Sequence, residues 1–256
     1  MHPILFKLGP ITIYSYGAVL AVAFLVGIAV ACRRAPRMGI DPQLILDLSV
    51  YIIIGALIGS RVLYVLSRWS DYRHDIIAVF KIWEGGLAFH GGLAGAILLS
   101  LWYLKKNKIS PWKVGDLIIP SVALGHCLGR LGCFLNGCCY GIPTESFLGV
   151  TFPPGSFAAS HFGLDHHIHP VQLYAAFALF VVFILLVKLT PRARFEGEIF
   201  WLYGVIYGAL RFVLEFLRAE HPPVLFFLTL YQIISLSLIL LSLLMLGILW
   251  RRSKNS

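Results

Sequence analysis

Seven long apolar runs dominate this sequence, and each is long enough to cross a lipid bilayer as a helix. A spanning helix needs about 20 mostly apolar residues. With 59% hydrophobic and only 13% charged residues, the chain is also more apolar than water-soluble domains usually are. We therefore predict an all-α, polytopic membrane protein with a single transmembrane domain over residues 1–256 and spans at about 11–31, 45–66, 87–104, 115–136, 171–189, 198–217 and 225–249.

Basic residues collect at every second boundary between these runs. Because cytoplasmic connections carry an excess of lysine and arginine, this pattern predicts an external N-terminus and a cytoplasmic C-terminus. It also accounts for the net charge of +9 without a nucleic-acid partner. The basic clusters are Arg33, Arg34 and Arg37, then Lys105, Lys106, Lys108 and Lys113, then Lys188, Arg192 and Arg194, and finally Arg251, Arg252 and Lys254.

One connection, residues 137–169, is much longer than the others and falls on the predicted outer side. It contains prolines, several aromatic residues and a run of histidines. Loops of this length within compact proteins are often functional. We expect this segment to form an external loop or head between the fourth and fifth spans.

Charged and titratable side chains inside the apolar runs mark a candidate site. A charge at mid-bilayer costs about 2.5–3.5 kcal/mol on insertion scales, so each needs a compensating role. The residues of this kind that stand out are Arg61, His90, Arg130, Arg211 and Glu215.

Several of these positions also have a purely structural interpretation. Arg211 and Glu215 are four residues apart, so they share a helix face and could simply pair, and Tyr207 extends the same stripe. Arg61 could equally belong to the scaffold. His90 could be a neutral core histidine, although the two glycines that follow it would leave space for a ligand beside the imidazole.

Arg130 has no acidic neighbour within a helical turn in either direction. Guanidinium groups bind phosphate oxygens through two parallel hydrogen bonds, and an imidazole can accept a proton from an attacking thiol or hydroxyl. Arg130, Arg211 and His90 together therefore indicate group transfer from a phospholipid.

Five segments of the sequence resemble the prolipoprotein diacylglyceryl transferase family, and they occur in the family's order over nearly the whole chain. They are SYG at 15–17, WEGGLAFHGG at 83–92, GRLGCFLNG at 129–137, HPVQLY at 169–174 and YGALRFVLEFLR at 207–218. The resemblance implies a bacterial inner-membrane enzyme that moves an sn-1,2-diacylglyceryl group from phosphatidylglycerol to the lipobox cysteine of a prolipoprotein signal peptide. Glycerol 1-phosphate would leave, and a thioether would remain.

The resemblance also implies roles for individual residues. Arg130 and Arg211 would hold the phosphate, and His90 would act as the base or position the lipid headgroup. The supporting substrate-binding residues would be Tyr16, Asn136, Tyr207 and Glu215. No metal or other cofactor is required, because the bond that breaks belongs to a phosphate ester.

Two other functions fit the same sequence features. A paralogous enzyme would use the same lipid donor with a different acceptor. A non-enzymatic protein would use the cationic cavity to bind or transport lipid, although the inverted repeats that many transporters carry are not apparent.

Three positions depart from the family pattern: Cys133 replaces an asparagine, Cys138 a glutamate and Ala175 a glutamate. Cys133 could form a disulfide with Cys138 or Cys139 in an oxidising compartment. The thiols could instead bind a soft metal ion, or one of them could itself accept an acyl or glyceryl group. Further ligands for such a metal could come from His126, Cys127, His161, His166, His167 or His169.

Overall fold

The computed structural model describes residues 4–8, 11–73, 75–81, 83, 85–219 and 222–255. This part of the chain is mostly helical. Its α-helices, numbered in chain order, are α1 (Ser15–Arg34), α2 (Pro42–Ser67), α3 (Trp69–Tyr72), α4 (Phe89–Lys106), α5 (Pro111–Asn136), α6 (Phe157–Phe162), α7 (Val171–Leu189), α8 (Glu198–Glu215) and α9 (Leu230–Lys254).

Five of the helical segments in the described ranges are long and apolar enough to cross a membrane. They are Ser15–Met38, Pro42–Ser67, Pro111–Asn136, Val171–Arg192 and Leu230–Lys254. The other two predicted spans also form helices, α4 and α8, but neither is among these five. A membrane protein with several apolar helices is therefore confirmed, whereas the number of seven spans stays a prediction.

Two short antiparallel hairpins interrupt the predicted all-α fold. Strands β1 (Ile4–Leu8) and β2 (Ile11–Tyr14) precede α1, and β3 (Pro223–Leu225) and β4 (Leu228–Thr229) precede α9. The first and last helices consequently begin later than predicted. The β-branched residues of the ITIY strand favour extended backbone. A capping box between Thr229 and Gln232 fixes the start of α9.

The chain forms two compact units. The first comprises Met1–Val30 with Gly115–Ser256, and the second comprises Ala31–Val114. In the first unit, α5, α7 and α8 bury a common core. Buried residues of this core are Ile119, Ala123, Cys127, Ala176, Leu179, Val182, Leu186, Ile199 and Tyr203.

Asp116 joins α5 to the start of α8 inside the first unit. Its carboxylate accepts hydrogen bonds from the backbone N–H groups of Gly197, at 2.7 Å, and Phe200, at 2.8 Å. The first N–H groups of a helix have no partner within the helix, so this buried carboxylate serves as a cap supplied by another helix. It fixes where α8, which carries several candidate site residues, begins.

In the second unit, glycines bring α2 and α4 into close contact. A Cβ atom added at Gly59 or Gly91 would collide with the backbone of the facing helix, and the same holds for Gly55 and Gly95. Small residues allow such close approach between helices in membranes, where lipid supplies little hydrophobic drive for association.

The connection 137–169 folds around a small core of its own. Tyr140, Phe152, Ala158 and Ile168 are buried in it. Isolated β-bridges join Ile168 to Pro143 and Val150. The segment therefore has a defined structure, while its predicted place outside the membrane stays a prediction.

Candidate functional site

A stripe of polar residues runs along one face of α8. Tyr203, Tyr207, Arg211 and Glu215 follow one another at intervals of four, which places them on the same face. The Tyr203 and Tyr207 rings stack with centroids 5.6 Å apart. From α5, His126 Nδ1 lies 2.6 Å from the Tyr203 hydroxyl. His126 and Tyr203 were not predicted as residues of this site, although His126 precedes Arg130 by one helical turn.

Arg211 and Glu215 form the ion pair that their spacing allows. The Arg211 Nη1 atom lies 2.5 Å from Glu215 Oε2, and the two side chains are 13% and 0% exposed. The other carboxylate oxygen accepts a hydrogen bond of 3.0 Å from the Thr229 hydroxyl, the residue that caps α9. The interpretation that Arg211 and Glu215 pair with each other is thus confirmed. The carboxylate also has a second cationic neighbour.

That second neighbour is Arg218, whose Nε lies 4.0 Å from Glu215 Oε2 and whose side chain is only 6% exposed. Arg218 belongs to the YGALRFVLEFLR motif but was not predicted as a site residue. Its position three residues after Glu215 was the available signal. One buried carboxylate thus serves two guanidinium groups.

Arg130 on α5 supplies a third guanidinium. It is half-buried, and its charge acts on Arg211, His126 and Tyr16. No residue in the described ranges forms a hydrogen bond or an ion pair with it. The predicted absence of a local partner therefore extends to the described tertiary structure. The first unit holds a local excess of positive charge with an arginine whose donors are available to a ligand.

Tyr16 lies at the start of α1, close to the end of α5. A Cβ atom at Gly132 would come within 3.2 Å of the Tyr16 ring, so glycine allows the two helices to approach here. The Tyr16 hydroxyl interacts electrostatically with Arg130 and with the thiols of Cys133, Cys138 and Cys139. The first unit thus brings together all the predicted site residues except His90; they are Tyr16, Arg130, Asn136, Tyr207, Arg211 and Glu215.

Three thiols gather where α5 ends. Gly137 adopts the left-handed conformation, with φ +71°, and its N–H donates to Phe134 O at 3.1 Å. The next N–H, of Cys138, donates to Cys133 O at 3.2 Å. These two bonds make a Schellman motif, which folds the residue after the glycine back onto the last turn of the helix. The motif therefore places the Cys138 and Cys133 side chains together.

Cys139 completes this cluster. It is also left-handed, with φ +62°, and its Sγ lies within 4.8 Å of those of Cys133 and Cys138. Hydrogen bonds from these two thiols, together with the Arg218 guanidinium, hold the pKa of the Cys139 thiol well below its usual range. The three thiols are half-buried and are not joined by a disulfide. Arg218 therefore links the thiol cluster to the Glu215 carboxylate.

Arg61, in the second unit, has a structural role. Its guanidinium donates five hydrogen bonds of 2.6 to 3.3 Å to backbone carbonyls of residues 78, 79, 81, 85 and 86, and it lies over the rings of Tyr64 and Tyr72. These bonds attach residues 78–81 and 85–86, which precede His90 in the chain, to α2. Glu84 of the WEGG motif lies outside the described residues.

His90 stands exposed in the first turn of α4, with the Phe89 ring edge-on to it at 5.6 Å. The two glycines after it were expected to leave space beside the imidazole. A Cβ atom at Gly91 would collide with Gly59 of α2, and one at Gly92 would approach Ala56 O at 3.2 Å. These glycines serve helix packing, because it is the neighbouring helix that occupies the space beside them.

We expect Arg61→Lys to loosen the segment before His90. A lysine ammonium cannot span five carbonyls, and each lost hydrogen bond to a charged group is worth about 1.5–3 kcal/mol. Tryptic cleavage after Lys81 should therefore become at least about tenfold faster, since cleavage follows the population of the opened segment. Arg68→Lys is the control, because Arg68 only stacks on Tyr64 nearby. An unchanged cleavage rate in Arg61→Lys would show that these bonds do not hold the segment.

Comparison with known proteins bears on the family of this chain. The family model of prolipoprotein diacylglyceryl transferase matches residues 3–248. A phosphatidylglycerol–prolipoprotein diacylglyceryl transferase of Clostridium tetani is 34% identical, over 94% of this chain and 95% of the relative. Relatives with the same name from Halalkalibacterium halodurans and Bacillus velezensis are 35% and 34% identical, over 97% and 100% of this chain and 86% and 94% of their own lengths. The chain therefore belongs to the prolipoprotein diacylglyceryl transferase family.

Proposed function

We propose that this protein transfers a diacylglyceryl group from phosphatidylglycerol to the cysteine thiol of a prolipoprotein, the first step of lipoprotein maturation. Family membership supports the reaction, since the curated relatives are named for these two substrates. The observation that carries the assignment of the site is Arg130, which has no hydrogen-bonding partner among the described residues yet lies close enough for its charge to act on Arg211. An anionic lipid headgroup is the ligand that such a pair would bind.

In this proposal the arginines act on the phosphate. Arg130 would bind its oxygens through two parallel hydrogen bonds, and Arg211, held by Glu215 on one side, would direct its remaining donors towards the same group. As the carbon–oxygen bond of the lipid breaks, negative charge grows on the leaving phosphate. Donors already in place for that charge stabilise the transition state more than the ground state.

The cysteine of the prolipoprotein is the acceptor and supplies the sulfur. Its thiolate attacks the glyceryl carbon that carries the phosphate, a carbon–sulfur bond forms as the carbon–oxygen bond breaks, and glycerol 1-phosphate leaves with the bonding electrons. His90 is the proposed acceptor of the thiol proton, on the strength of its place in the family motif. Tyr16, Asn136 and Tyr207 are proposed to bind substrate around the arginines.

The location and orientation are proposals as well. The apolar helices and the family support insertion into a bacterial inner membrane. The alternation of basic clusters supports a periplasmic N-terminus, a cytoplasmic C-terminus and a periplasmic 137–169 segment. This orientation would expose the site to secreted prolipoproteins.

A transfer assay with the purified full chain tests the function. The protein is reconstituted in vesicles that contain phosphatidylglycerol and incubated with a lipobox peptide. We expect the peptide to gain the mass of one diacylglyceryl group on its cysteine, and a peptide with serine at that position to stay unmodified. If the protein is folded and inserted but leaves the cysteine peptide unmodified, the proposed reaction is wrong.

A further inference from the structure

The thiol cluster of Cys133, Cys138 and Cys139 has the geometry of a metal site. All three sulfur atoms lie within 4.8 Å of one another. With zinc–sulfur bonds of about 2.3 Å in a tetrahedral site, sulfur ligands stand about 3.8 Å apart. Each distance between two sulfur atoms would therefore need to shorten by about 1 Å at most for the three to bind one ion.

The backbone holds these thiols together before any ion binds. The Schellman motif at the end of α5 fixes Cys133 and Cys138, and the buried Gln172 side chain donates a hydrogen bond of 2.8 Å to Cys138 O. The left-handed backbone of Cys139 then turns its thiol towards the other two. Ordering the ligands beforehand lowers the entropic cost of binding.

The surroundings suit a negatively charged metal–thiolate group. The Arg218 side chain hydrogen-bonds to Cys139, and that of Asn136 to Cys138. Such contacts orient metal ligands and tune their charge. Three thiolates around a divalent ion carry one net negative charge, which would offset part of the excess positive charge of Arg130 and Arg218.

We propose that Cys133, Cys138 and Cys139 bind one zinc ion through their thiolates. Soft sulfur ligands select zinc over magnesium or calcium, which prefer oxygen. A disulfide would use two of the thiols and leave the third without a role, whereas one ion engages all three. Three protein ligands leave a fourth position for water or another exogenous ligand. This proposal does not depend on the transferase reaction.

Metal binding is measured on the full chain in detergent, after reduction and removal of metal with a chelator. Zinc is titrated against a chromophoric indicator, and cobalt(II) serves as a spectroscopic probe. We expect one zinc per chain and a sulfur-to-cobalt charge-transfer band in the near ultraviolet. Cys133→Ser, Cys138→Ser and Cys139→Ser should each weaken zinc binding at least about 100-fold, since losing even an outer-shell partner costs 10- to 100-fold. Cys32→Ser replaces a cysteine that is not part of the cluster, so this variant should bind zinc normally.

A second measurement needs no variant, so it holds even if a serine variant misfolds. In the unmutated protein, zinc should protect the three clustered cysteines, but not Cys32, from maleimide labelling mapped by mass spectrometry. Absence of stoichiometric binding by the reduced protein, full affinity in Cys139→Ser, or labelling of the cluster unchanged by zinc would each overturn the proposal.

Discussion

Replacing Arg130 with alanine should lower the rate of diacylglyceryl transfer about 10²- to 10³-fold, the usual cost of removing a preorganised donor to developing charge. The guanidinium is half-buried and has no hydrogen-bonding partner among the described residues, so its removal breaks no internal bond. The variant should therefore insert and unfold as the unmutated protein does. The measurement is the initial rate of lipid transfer to the lipobox peptide in phosphatidylglycerol vesicles.

Two further variants sharpen this result. Arg130→Lys keeps the charge but loses the planar fork that binds two phosphate oxygens, so we expect a rate between those of the unmutated protein and the alanine variant. Arg192→Ala removes an exposed arginine at the end of the α7 segment and should transfer lipid normally. A normal rate in Arg130→Ala would remove this residue from the site.

Replacing Glu215 with alanine should destabilise the protein by about 3–5 kcal/mol, because it leaves the charge of Arg211 uncompensated in a buried position. The Glu215 side chain is fully buried, and it also accepts the hydrogen bond from Thr229 at the start of α9. We expect the midpoint of thermal unfolding in detergent to fall by roughly 10 °C. To measure this midpoint, samples are heated to a series of temperatures, and size-exclusion chromatography gives the fraction of protein that stays monodisperse.

A double variant separates stability from catalysis at the same place. Arg211→Met with Glu215→Leu replaces the buried pair by apolar side chains of similar size, a change that is often neutral for stability. We expect this protein to recover the part of the lost stability that is due to Arg211, since Arg218 still lacks its carboxylate. Its transfer activity should be lost, because one phosphate-binding arginine is gone. If Glu215→Ala alone were as stable as the unmutated protein, the ion pair would not be a structural element.

Hydrophobicity along the sequence predicts some helix boundaries and misses others. The apolar run 171–189 coincides with α7 (Val171–Leu189), since nothing in that run competes with a helix. The runs predicted to begin at 11 and 225 instead start with hairpin strands, because hydrophobicity alone does not distinguish a strand from the first turn of a helix.

In the candidate site, too, some contacts could be predicted from the sequence and others could not. The pairing of Arg211 with Glu215 follows from their spacing, and it is present. The contacts of Arg218 with both Glu215 and Cys139 were not expected, although Arg218 stands within the same motif. Room for a ligand beside the exposed His90 stays a prediction, and the two glycines that follow it pack against α2.

The sequence by itself determined that the protein lies in a membrane, where its helices approximately are, and which residues share the i, i+4 stripe of α8, since these depend on hydrophobicity and on neighbours within one helical turn. The family followed from its sequence motifs. Only the tertiary structure decided which arginines have partners. It assigned Arg61 to five backbone carbonyls and Glu215 to Arg211 and Arg218, and it gave Arg130 no hydrogen-bonding partner among the described residues. The reason is physical: a buried charge is neutralised by whatever lies within a few ångströms of it, and apart from a helix's own neighbours, that is set by how distant segments pack.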